Sequence, residues 1–75
     1  MSGGARFDVF IKDLFDLYNG LEQQLGTNRP HVVRSTRRAL AVLKVYVPED
    51  DGEAILLEVA VEQFQALLRR AGGAP

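Results

Sequence analysis

The sequence predicts a small α+β domain in the order helix, strand, strand, helix: a β-hairpin covered on one face by two helices and expected to pair with a second copy on the other. Three observations lead there. An apolar stripe recurs at helical spacing near the start, two apolar runs flank PEDDG in the middle, and an amphipathic run closes the chain. With 75 residues and no cysteine, residues 1–75 make one domain without disulfides or thiolate metal sites. Chains this short bury only about 60% of their unfolded surface, so a net stability of roughly 4 to 11 kcal/mol is expected and a partner would add to it.

The ends, 1–5 and 72–75, are small and glycine-rich and are expected to be loose. From Phe7 the spacing turns helical. Phe7, Ile11, Leu14, Tyr18, Leu21 and Leu25 recur at alternating steps of four and three, with Phe10 and Leu17 widening the stripe. Gly26 is the expected C-terminal cap, with Pro30 in the loop that follows. Gly20 is the weak point, costing about 1 kcal/mol against alanine unless it marks a kink or a close approach of backbone.

The central segments, LAVLKVYV and EAILLEVA, read as paired strands, with Asp50, Asp51 and Gly52 suiting a three-residue loop. That register sets Val47 against Ile55, Val45 against Leu57 and Leu43 against Val59 on an apolar face, and Tyr46 against Leu56 and Lys44 against Glu58 on a mixed one. A helix competes for the first segment. Ser35 would cap it, and Arg34, Arg37, Arg38, Ala41 and Lys44 would share one side. Val42, Val45, Tyr46 and Val47 prefer strands and Pro48 disfavours helix at Val47, so the strand is the reading adopted. His31 to Thr36 is a candidate extra strand.

The closing helix is placed at Val61 to Ala71, with Val61, Phe64, Leu67, Leu68 and Ala71 on one face. Glu62 in its first turn and Arg69 and Arg70 in its last suit the helix dipole. The tail LLRRAGGAP resembles the arginine and diglycine end of ubiquitin-like carriers. Ala74 and Pro75 follow the glycines, however, and the expected strand order differs from that fold, so a helix cap is the reading preferred.

Two surfaces emerge as candidate sites. On the mixed hairpin face, Leu40, Val42, Tyr46 and Leu56 stay uncovered by the helices and form the expected dimer or partner interface. The other is basic: Arg34, Arg37, Arg38 and Lys44, flanked by Arg29 and His31, could bind nucleic-acid phosphates. A net charge of -1 and a pI near 5.7 weigh against that use. The charge is nonetheless segregated, since the stretch from Arg29 to Lys44 contains no acid and that from Glu49 to Glu62 no base.

Chemistry finds little support. PEDDGE lacks the remaining ligand positions of a calcium loop, and His31 has no second histidine or cysteine beside it. Ser35 and Thr36 have no orienting carboxylate close in sequence, and no phosphate loop or nucleophile elbow occurs. The expectation is therefore a non-catalytic interaction or regulatory module without cofactor: an adaptor, inhibitor or accessory subunit, homodimeric and docked on a larger protein. A nucleic-acid-binding regulator is the alternative. With neither an apolar signal-peptide core nor a run long enough to span a bilayer, the expected location is cytoplasmic and off the membrane.

Overall fold

The computed structural model describes residues 3–73 and holds three helices: α1 (Gly3–Gln23), α2 (Arg29–Val45) and α3 (Asp51–Arg70). No strand occurs among the described residues. The α+β expectation is thereby corrected to an all-helical bundle, and both hairpin strands, Leu40 to Val47 and Glu53 to Ala60, are replaced by helix over most of their length. Met1, Ser2, Ala74 and Pro75, part of the ends expected to be loose, lie outside the described residues.

The cause lies in the caps and in periodicity. Asn28 opens α2, its side chain accepting the His31 N–H at 3.4 Å, and Pro30 sits in the first turn, where its missing N–H costs no helical bond. Val32, Thr36, Ala39 and Leu43 then fall inward at steps of four, three and four. In the strand reading Leu43 and Val45 share a face; in the helix Leu43 is buried while Val45 is 78% exposed. Strand preference differs by only a few tenths of a kcal/mol for a β-branched residue, and burial of the helical stripe outweighs it. The helix ends at Val45, so Val47, the residue before Pro48, lies outside it as expected, and Tyr46 takes extended angles of φ -75° and ψ 129°.

PEDDGE is an N-terminal cap rather than a hairpin turn. Asp50 Oδ1 accepts the Glu53 N–H at 2.8 Å, and the Glu53 carboxylate reaches back to accept the Glu49 N–H at 2.9 Å. This resembles the reciprocal capping box, displaced by one residue on the return bond. Asp51 and Glu53 in the first turn and Arg69 and Arg70 in the last suit the helix dipole. From there α3 runs unbroken through the expected strand and into the expected closing helix, burying Leu57, Ala60, Phe64, Leu67 and Leu68.

The ends of α1 and α3 are built differently. α1 stops at Gln23, before Gly26, and tightens into bonds of the i to i-3 type from Gln24 to Leu21 and from Leu25 to Glu22. Gly26 has no positive φ and is not the left-handed cap expected of it. That geometry belongs to Gly72, at φ +88°. Its N–H donates to the Arg69 carbonyl and the Gly73 N–H to the Leu68 carbonyl, which makes a Schellman motif. The diglycine of the tail is thus a helix terminator.

α1 packs against both other helices. Phe7, Leu14 and Leu21 supply its buried stripe, with Phe10, Ile11, Tyr18 and Leu25 partly buried beside them. Tyr18 meets the fully buried Phe64 edge-on at 5.7 Å between centroids. Tyr46 closes the opposite end, stacked on Phe10 at 4.6 Å and tilted against Phe7 at 5.7 Å. At the far end Arg70 Nη1 donates to Glu22 Oε2 at 3.0 Å; the carboxylate raises the pKa of that guanidinium above its ordinary value.

Candidate functional site

α2 and α3 lie side by side, and the seam between them is open. Leu40 and Ala41 of α2 and Val61 and Leu68 of α3 line a hollow of about 500 Å³, with Arg37, Lys44 and Gln65 at its rim. A second hollow of about 490 Å³ continues toward the turn, lined by Tyr46, Pro48, Ala54 and Leu57, with Glu58 and Glu62 at its edge. Val61 borders both, so the two hollows adjoin, as a trough along the seam. No described α1 residue lines either hollow, so the trough opens on the side away from α1.

Helical spacing explains the rims. On α2, Arg34, Arg37, Ala41 and Lys44 stand three, four and three residues apart and share one side, with Arg38 adjoining. The competing helical reading of the sequence describes this same side. All four basic residues are exposed. On α3, Asp51, Glu58 and Glu62 recur at seven and four, again on one side. Among the described residues the ion pairs are Lys12 with Asp16 and Arg70 with Glu22, so neither rim is neutralised within the chain.

The four residues expected to form one apolar face are dispersed. Leu40 lines the trough and Tyr46 packs on α1 while bordering the second hollow. Val42 and Leu56 are about half exposed on α2 and α3 and line neither hollow. The surplus sheet face that argued for a companion does not exist. What exists instead is the trough, together with Val45, Val47 and Ile55, exposed at 78%, 79% and 61% around the α2–α3 turn.

The chain matches no family model, no curated protein and no solved structure. Its own geometry therefore carries the functional reading. Ser35 Oγ and His31 Nε2 do approach, at 3.5 Å, one helical turn apart. A nucleophile activated in this way needs a third group to orient the base, and neither residue has a carboxylate among its hydrogen-bond partners here. Among the described residues no three His, Asp or Glu side chains are placed to hold a metal ion, and no helix is long and apolar enough to cross a membrane.

Sequence reasoning overlooked Val61, Gln65 and Leu68 as a trough wall. Their spacing of four and three was the available signal, masked because Val61 had been assigned to the core face of a shorter helix.

Proposed function

We propose that the protein is a non-catalytic interaction module, serving as an adaptor, inhibitor or accessory subunit, that offers the α2–α3 seam to another protein. One observation carries this reading: an apolar trough, open on the side away from α1, is bordered by Arg37 and Lys44 of α2 at its first hollow and by Glu58 and Glu62 of α3 at its second. Grooves of this kind accept helices, whose side chains fill the hollows while rim charges set orientation. The test is to place a charge in the trough. Ala41→Glu and Val61→Glu should abolish capture of the partner from the native host while the far-UV spectrum stays helical. Undiminished capture by both folded variants would refute the reading.

A second reading rests on its own observation. The α2 side bearing Arg34, Arg37 and Lys44, with Arg38 beside it, is exposed, free of ion pairs among the described residues and uninterrupted by any acid from Arg29 to Val45. Such a stripe suits a phosphate backbone. Binding to duplex or single strands would then weaken with salt, and replacing Arg34, Arg37 and Arg38 by alanine would lower the slope of log affinity against log salt by about one per lost phosphate contact. Absence of any gel shift at low salt would remove this reading.

A further inference from the structure

We infer that the occupant of the α2–α3 trough is a second copy of this chain, docked by two-fold symmetry so that α2 of each copy lies on α3 of the other. The inference rests on the reading of the seam as a protein-binding face and adds the identity of the partner.

Charge and symmetry together point to the occupant. In an isologous contact every pairing occurs twice, so a patch must be complementary to itself. A face of one sign fails this condition; a face split lengthwise into opposite signs meets it. Here the α2 wall presents Arg37 and Lys44 and the α3 wall presents Glu58 and Glu62, and no ion pair within the chain cancels them among the described residues.

Two ways of stacking the faces can be distinguished. A two-fold axis running along the helices sets the basic wall of each copy over the acidic wall of the other. An axis across the helices would set α2 on α2 and bring guanidinium onto guanidinium. Like-charge juxtaposition is strongly unfavourable at an interface, so the charge pattern selects the first axis. The apolar strip of Leu40, Ala41 and Val61, with the buried Leu68 beneath it, then meets its own copy at the centre, with the charges as a surrounding rim. The core of the assembly becomes four helices, two from each copy, with each α1 outside.

The area is adequate. Helices of 17 and 20 residues laid side by side make a face of roughly 500 Å² in projection, and more when side-chain relief is counted. That is the order of the ~800 Å² per partner found in standard interfaces.

The test uses two charge-reversed chains. Arg37→Glu with Lys44→Glu makes both walls acidic, and Glu58→Lys with Glu62→Lys makes both basic. Sedimentation equilibrium of the unaltered protein should show a dimer that dissociates as salt is raised. Each variant alone should be monomeric, with its dissociation constant raised about tenfold or more. Mixed in equal amounts they should dimerise again, because each acidic wall then faces a basic one twice over. Recovery on mixing also shows that both variants are folded.

An unaltered chain that stays monomeric at ~1 mM, where an association of only ~4 kcal/mol would be half formed, overturns the inference. So does a dimer indifferent to both reversals, or variants that fail to recover on mixing. If the chain is monomeric yet Val61→Glu still abolishes capture of a different protein, only the identity of the partner is lost and the interaction reading stands.

Discussion

Glu53 and Asp50 hold the start of α3 between them: the Glu53 N–H donates to Asp50 Oδ1 at 2.8 Å, and the Glu53 carboxylate, largely buried, accepts the Glu49 N–H at 2.9 Å. The first N–H groups of a helix have no partner within it, so this arrangement satisfies donors that would otherwise stay open at the α2–α3 turn.

Removing the cap acceptor should therefore be felt throughout so small a domain. Asp50→Ala is expected to cost about 1 kcal/mol, which lowers the melting temperature by roughly 4 to 8 °C, whereas Asp50→Ser should retain most of the stability. Thermal unfolding followed at 222 nm measures both. Equal stability of the two variants would mean that the cap contributes nothing.

Gly20 offers the opposite sign. α1 passes through it unbroken, its φ is not positive, and a Cβ there would meet nothing within 4 Å. Neither a kink nor a close backbone explains the glycine, so Gly20→Ala should stabilise the protein by about 1 kcal/mol, in line with the helix propensities. Denaturant unfolding should show a higher midpoint with an unchanged slope.

How much of this was readable from the residues can be argued element by element. The stripe of α1 from Phe7 to Leu21 and the face of α3 from Val61 to Leu68 are strictly periodic and helical as expected, although α1 stops at Gln23, short of Leu25, and α3 at Arg70, short of Ala71. The middle was misread for two local reasons. LAVLKVYV and EAILLEVA are so apolar that alternation and helical spacing fit them equally well, and β-branched residues tilted the choice. The deciding signals were polar and lay outside those runs. Asn28 with Pro30 two residues on, and Asp50 with Glu53 three residues on, are both helix starts, and the second was taken for a turn. The trough follows from how two helices pack, so its apolar walls could not be found while part of each of those helices was read as a strand. The basic side of α2 was legible, because the competing helical reading already placed Arg34, Arg37, Arg38, Ala41 and Lys44 together.

Tyr46 changes role most between the two readings, from an exposed partner contact to a ring stacked on Phe10 at 4.6 Å. A double-mutant cycle on Phe10→Ala and Tyr46→Ala should return a coupling of about 0.5 to 1.5 kcal/mol beyond the area each ring buries. Additive losses would show that the rings are merely neighbours.

Gly72 is held at φ +88°, where a side chain is strained whatever space surrounds it. Gly72→Ala should cost about 1 kcal/mol and Gly72→Asn less, since asparagine tolerates the left-handed region better. At Gly73 the difficulty is contact instead. A Cβ there would press on Leu68 Cδ1 and lie 3.4 Å from Val33 Cγ1. Gly73→Ala should loosen the C-terminal turn of α3, read as faster amide exchange at the Gly72 and residue-73 N–H groups.

Thr36 is fully buried on the core side of α2, and its hydroxyl has no hydrogen-bond partner. An unpaired buried hydroxyl carries the cost of its lost hydration, while valine keeps the shape and removes the polar atom. Thr36→Val should therefore raise stability by about 1 kcal/mol, helped by the near equality of the two residues in helix propensity. Thr36→Ala provides the control, because it removes the hydroxyl and a methyl together and leaves a cavity, so it should fall below Thr36→Val. Urea unfolding of the three proteins settles the order. If Thr36→Val were instead the less stable, the hydroxyl would have to be bonded in solution, as threonine hydroxyls in helices can be to a carbonyl one turn earlier.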